Sequence, residues 1–320
     1  MSAVQRDAMK YDIEVDLGAE NTSHRQMVEM IGANKRVLDV GCSTGYLAKT
    51  LAAFGNRVTG IEYDPAAATV ARAHAEQVHV ADLDQAELAS IVAGEVFDVV
   101  VFGDVLEHLR DPLPTLRQAR RVLAPGGYVV ISIPNVAHGD VRMSLMLGRF
   151  PYRNLGLLDA THLRFFTRSN LQELLNSAGF AAIEVRTTTA PLFGTEVGVQ
   201  PDEVDPSVAM MIGSDPDSLV YQFVLTAVPQ DATTLAAETA WENQQLKDQV
   251  VALKADLASA TTRLTELVRL QEHVVALESE LEDTRVRLAR AESAERELNA
   301  LRATRTLRTR SATLRMMGRA

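Results

Sequence analysis

Across the first 228 residues, short unbroken apolar runs alternate with helix-like segments, and that alternation leaves few folds open. The runs are RVLDV (36–40), RVTGIE (57–62), QVHVAD (77–82), FDVVVFGD (97–104) and GYVVISIP (127–134). Between them lie amphipathic stretches such as GYLAKTLAAFG and LPTLRQARRVLAPGG, the latter closed by Pro-Gly-Gly, a helix stop. Apolar strands with helices between them form a parallel sheet covered on both faces. Two later runs, FAAIEVRT (180–187) and LVYQFVLTAV (219–228), complete the sheet. The expected fold class is a doubly wound α/β domain.

With 47% hydrophobic residues in 320, the chain can bury a full core and keep residues for an appendage. No run of about 18 apolar residues is present, and MSAVQRDAMK lacks the basic-then-apolar layout of a signal peptide. A cytoplasmic setting is expected. A lone cysteine, Cys42, excludes an intrachain disulfide framework and a multi-cysteine metal site. The net charge of −10 repels phosphates, so no nucleic-acid partner is expected. That charge is uneven. Residues 302–320 hold six arginines and no acid, which leaves roughly −16 on the rest.

In such sheets ligands bind at the carboxyl ends of the strands, near the switch point. There RVLDVGCSTGYLAK turns from the first strand into a helix through Gly41 and Gly45, glycines that allow a tight turn and close approach to a ligand. A dinucleotide site wants G-x-G-x-x-G, but this loop reads G-C-S-T-G, and Asp39 stands where it would repel a pyrophosphate. The acid calls for a cationic ligand. Glu62, ending the second strand, is placed for two ribose hydroxyls, and Asp82, ending the third, for the exocyclic amine of a base. A nucleoside carrying a cation suits all three acids. S-adenosylmethionine fits, with its ammonium, sulfonium and adenosine.

These stretches resemble the class I S-adenosylmethionine-dependent methyltransferases, especially their small-molecule and glycan branch. The matching segments are VLDVGCSTGYLAK for the glycine loop, VTGIEYD for the ribose acid, VADLD for the adenine site, FDVVVFGDVLEHLRDP for the fourth strand and APGGYVVISIPN for the fifth. They fall in order over about residues 20–228, with Ser43 where many members carry glycine. The resemblance implies a seven-stranded Rossmann-like sheet, ordered 3-2-1-4-5-7-6 with the last strand antiparallel. It also implies S-adenosylmethionine as cofactor, held by Asp39, Gly41, Cys42, Gly45, Glu62, Tyr63, Asp82, Leu83 and Asp104. Of these, Cys42 contributes through its backbone, and Asp104 either faces the methyl group or acceptor or forms a local turn. Glu107 and His108 of DVLEHL either orient their loop or act in catalysis.

Residues 135–167 are too long for an ordinary connection and read as a lid over a substrate pocket. They carry His138, Asp140, Asp159 and His162 within an apolar frame of Met143, Met146, Phe150 and Tyr152. The segment DATHLRFFTRSNLQELLNSAGF resembles one in methyltransferases of sugars and polysaccharide ends. Transfer to a hydroxyl needs an aligned acceptor oxygen and a base for its proton. His162 is the candidate base, with Asp159 to orient it and His108 as a further catalytic candidate; packing of His162 beneath the lid is the other reading. Nothing in the spacing of these residues forces a metal site.

Beyond the domain (1–228), residues 229–240 read as a polar linker. Apolar residues then recur at Leu246, Val250, Leu253, Leu257, Ala260, Leu264 and Leu267 with gaps of four and three, break at Leu270, and resume through Val274, Leu277, Leu281 and Leu288. This is a heptad repeat with a stammer-like break, so 241–301 is expected as a coiled coil that self-associates or docks on another protein. The tail, 302–320, mixes arginines with Leu307, Leu314, Met316 and Met317. It reads either as a disordered basic tail or as a contact for the anionic inner face of the plasma membrane or a polysaccharide-assembly protein. The sequence thus points to methyl transfer onto a hydroxyl, with a sugar of a surface polysaccharide or lipid-linked glycan as the first acceptor class. The alternatives are a soluble or quinone-like metabolite, and a coiled-coil scaffold whose head binds cofactor without turnover.

Overall fold

The computed structural model describes residues 15–230 and 232–317, so residues 1–14 of the expected first domain and 318–320 of the basic tail lie outside it. Strands β1 (Arg36–Val40), β2 (Arg57–Glu62), β3 (Gln77–Val80), β4 (Phe97–Gly103), β5 (Leu123–Pro134), β6 (Phe180–Thr189) and β7 (Val220–Pro229) form one sheet. Its order is β3-β2-β1-β4-β5-β7-β6, the first five strands parallel and β7 antiparallel to both neighbours. Both the order and the reversed strand match the expectation.

Period-two alternation divides the core between the faces. Val99 and Val101 of β4 point to α1 (Ser23–Ile31) and α2 (Tyr46–Ala52), where they meet Met27, Ile31, Leu47 and Leu51. Val100 and Phe102 point the other way, into a larger core with Leu88 and Val92 at α4 (Leu88–Ile91), Leu116 of α5 (Pro112–Val122) and Leu171 of α7 (Arg168–Ala178). Three helices begin at an Asp-Pro pair. The side chains of Asp64, Asp111 and Asp205 accept from the backbone at the starts of α3 (Pro65–Ala71), α5 and α8 (Pro206–Gly213), and each proline fills a position whose N–H has no helical partner.

The stretch expected as a lid is a small folded layer. Its helix α6 (Gly139–Met146) joins α8 around Val141, Met143, Leu157, Leu158, Val197 and Ile212. His138 and Asp140 anchor this layer. His138 is wholly buried, its Nε2 donating to Ala190 O at 3.1 Å and its Nδ1 accepting from Asp140 N at 3.1 Å. The Asp140 carboxylate accepts from Phe193 N at 2.6 Å, Thr195 N at 3.0 Å and Thr195 Oγ1 at 2.6 Å. These residues tie the insert to the β6–β7 connection.

Several boundaries differ from the sequence reading: β5 starts at Leu123 instead of 127 and takes in the Pro-Gly-Gly read as a helix stop, and two further differences bear on the site and the linker. β3 stops at Val80, so Asp82 sits in the following turn, where its Oδ1 accepts from Asp84 N at 2.9 Å. Within the span 229–240, read as a polar linker, α9 (Ala232–Met317, 86 residues) already starts, and it continues into the basic tail. The chain divides into two compact units after Trp241. Among the described residues, no helix is long and apolar enough to cross a membrane.

Candidate active site

Because β1, β2 and β4 run parallel, their carboxyl ends bring Asp39, Glu62 and Asp104 to one edge of the sheet. Asp39 is 3% exposed, and its Oδ2 has no hydrogen-bond partner. Burial first, and the charge of Glu62 second, push its pKa up to about 7. A buried carboxylate oxygen without a partner suits a cation, so the residues fit the ammonium or sulfonium of the expected cofactor. Glu62 is held in place, Oε2 accepting from Ser43 N and Oε1 from Asp64 N, both at 2.8 Å. Each oxygen keeps a further lone pair for a ribose hydroxyl.

The loop glycines are also required by packing. Gly41 has φ 78°, and a Cβ there would lie 2.5 Å from Val105 Cγ2; Gly45 has φ 80°, with the Cα of Ala71 at 2.9 Å. Ser43 also has positive φ, 49°, a conformation that glycine adopts without strain. Cys42 builds the loop, its thiol turned into the protein. Its thiol is buried against Gly60, its N–H donates to Ile61 O at 3.0 Å and its carbonyl accepts from Gly45 N. Glu62 and Val80 are register partners, so Tyr63, Asp82 and Leu83 gather at one corner. There Tyr63 is exposed and Leu83 packs on the core.

Asp104 is both a turn and an anchored acid. It has φ 56°, and its Oδ1 accepts from Ser132 Oγ of β5 at 2.9 Å and Gln222 Nε2 of β7 at 2.8 Å. Burial raises its pKa, and lowers that of His24 across from it on α1. His24 in turn meets the half-buried Tyr46 of α2 edge to face at 5.2 Å. Sequence reasoning missed these four residues. Ser132 and Gln222 left a signal as polar residues within the apolar runs VVISIP and VYQFVLTAV; His24 and Tyr46 left none, since only the packing of α1 on α2 joins them.

Past β4, a short 3-10 turn at Leu106–His108 meets the loop carrying His162. Leu163 N and Arg164 N both donate to Glu107 O, at 2.8 and 3.0 Å, and the rings of His108 and His162 lie 4.9 Å apart, edge to face. His108 Nδ1 is 3.2 Å from the carbonyl of Thr161, which can only accept, so the ring's proton sits there and Nε2 is left to accept one. Asp159 is buried. Its Oδ1 accepts from Thr161 N at 2.8 Å and Thr161 Oγ1 at 2.6 Å, while its backbone oxygen accepts from His162 N at 3.0 Å. Asp159 thereby shapes the loop that presents His162. The Glu107 carboxyl is 1% exposed with neither oxygen partnered, and burial, then Asp104, hold its pKa well above the ordinary carboxylate range. One ligand atom each from Glu107, His108 and His162 lie within 4.8 Å of one another, a group able to hold a metal ion that their spacing in the sequence did not show. Phe165 stands 6.2 Å from His162, and Phe150 and Tyr152 extend the aromatic series. A cavity of about 380 Å³ beside Arg36 and Arg57 lies at the opposite ends of these strands, away from the site.

Fold and site together describe a methyltransferase, and the family comparison agrees: the chain matches the family of methyltransferase domains over residues 20–185 and belongs to it. It is a member of the S-adenosylmethionine-dependent methyltransferases. The chain is 32% identical over 177 residues to a ubiquinone biosynthesis O-methyltransferase of Psychrobacter arcticus, covering 53% of this chain and 68% of that one. A protein of the same name from Cereibacter sphaeroides is 34% identical over 153 residues, covering 47% and 61%. The chain thus spans about two thirds of the length of these relatives. Among solved structures, a methyltransferase from Archaeoglobus fulgidus superposes with a TM-score of 0.50 at 16% identity, over 71% of this chain and 99% of that one.

Proposed function

We propose that this enzyme methylates a hydroxyl on an aromatic, quinone-like ring, with His162 as the base. The observation that carries the reading is the pair His108–His162, one edge open to Phe165, Phe150 and Tyr152. A planar acceptor fits among aromatic edges, and the relatives named for ubiquinone biosynthesis support the same class. They move the preference away from the sugar hydroxyl, which rests on the DATHLRFFT segment and the basic tail alone. When bound, S-adenosylmethionine supplies an electrophilic methyl, and transfer forms the oxygen–carbon bond as the carbon–sulfur bond breaks. Asp39 neutralises the cofactor cation, Glu62 fixes the ribose, and Asp104, braced by Ser132 and Gln222, completes the wall between cofactor and acceptor. His162 takes the hydroxyl proton as the oxygen attacks, and His108 supports it through its unprotonated Nε2.

Self-association through α9 belongs to the same reading, supported by its half-exposed leucines. The arginine-rich tail would then meet anionic lipid. His162→Ala tests the chemistry with a catechol-type acceptor. The expected result is a rate lower by roughly 10²–10⁴-fold with S-adenosylmethionine binding intact. An unchanged rate would remove His162 as the base.

A further inference from the structure

Helix α9 runs 86 residues, and between Leu257 and Leu301 its leucines and valines are exposed. Leu270, Val274, Leu277, Leu281, Leu288 and Leu298 are between 48% and 60% exposed. They fall on one seam of alternating four- and three-residue steps, in which Thr284, Ala291 and Glu295 fill the remaining places. A seam of this kind needs a partner with the same repeat. We infer that the partner is a second copy of this chain, lying parallel and in register. The inference rests on the self-association reading above and fixes its orientation.

Two arrangements keep the seam paired across the break between Leu267 and Leu270. In the parallel one, each break faces its own copy, and the residue before every second seam position faces the residue five later on the other chain. Glu280 then meets Arg285, and Arg287 meets Glu292, each pair twice by symmetry. His273 meets Glu278, and no like charges face each other along this stretch. The antiparallel alternative is centred on Leu267, pairing Leu264 with Leu270 and Leu257 with Leu277. Its flanks are mismatched: Asp256 and Glu280, both acids, take facing register positions, as do Lys247 and Arg285, both bases, against the opposite pair Lys254 and Glu278. Opposite charges beside the seam select orientation, and here they select parallel. Both basic tails then leave the same end of the coil, doubling the charge offered to an anionic surface.

The test uses the full chain carrying Leu277→Cys. Cys42 is 2% exposed and stays out of the exchange. In the parallel pair the two introduced thiols face each other, so oxidation gives a covalent dimer; in the antiparallel pair they lie about 30 Å apart at ~1.5 Å per residue. Sedimentation equilibrium of the unmodified chain is expected to give a dimer. Glu280→Arg should weaken it roughly tenfold, and adding Arg285→Glu should restore it. A dimer in which the introduced thiols fail to cross-link, or in which the charge swap gives no rescue, would overturn the orientation alone. A monomer would overturn self-association itself, leaving the methyl-transfer reading untouched.

Discussion

In the proposed reading cofactor binding turns on Asp39, and the burial of that carboxyl makes the binding depend on pH. In the free protein its carboxyl, with a pKa of about 7, is half protonated at neutrality, while the cationic cofactor demands the carboxylate. Affinity for S-adenosylmethionine should therefore rise as pH increases through about 7, with proton release that calorimetry in buffers of different ionisation enthalpy detects. Asp39→Asn should abolish that dependence and weaken binding by roughly 10–100-fold, as for a lost charge-assisted bond of about 1.5–3 kcal/mol. Glu107 makes a second case. The folded protein keeps a proton there that the unfolded chain releases above about pH 4.5, so stability from this site is full at low pH and falls as pH rises. Glu107→Gln should raise the melting temperature at pH 8 and leave it nearly unchanged at pH 4.5, measured by circular dichroism. EDTA separates two uses of the same cluster. Base catalysis by His162 predicts an unchanged rate, and a loss restored by Zn²⁺ or Fe²⁺ and absent from His108→Ala would make Glu107, His108 and His162 ligands.

At the scale of elements, two contacts bear most of the local consequence. Gly45 lies at the start of α2 with its missing side chain facing the backbone of α3 at Ala71. Gly45→Ala combines a left-handed penalty of about 1–2 kcal/mol with overpacking of about 1–3 kcal/mol, so a loss above about 2 kcal/mol in urea unfolding is expected. Asp140→Ala removes three hydrogen bonds that hold the insert to the β6–β7 connection, and should open residues 191–200 to protease while cofactor affinity stays unchanged. The strands were legible in the sequence because apolar runs are local signals, and their order followed from the resemblance that the Gly41–Gly45 loop helps to carry. The insert was not: its core joins Val141 to Val197 and Ile212, residues far apart in sequence, and reads as a lid until the fold joins them. The same holds for the site. Asp39 and Glu62 announce themselves at strand ends, whereas the meeting of Glu107, His108 and His162 depends on a distant loop folding back on the end of β4.

At the scale of the whole molecule, the proposed reading assigns chemistry to the methyltransferase domain and assembly to α9. Every residue of the candidate site lies between His24 and Gln222, and α9 contributes none of them. Removing residues 242–320 should leave affinity for S-adenosylmethionine unchanged, and should abolish sedimentation with vesicles of anionic lipid if the tail is the contact. The direct test of the central claim is calorimetric titration of the purified chain with S-adenosylmethionine, beside Glu62→Ala. One saturable site in the wild type, lost or weakened more than about tenfold in the variant, is the predicted result. No heat of binding from a folded wild-type protein would contradict it.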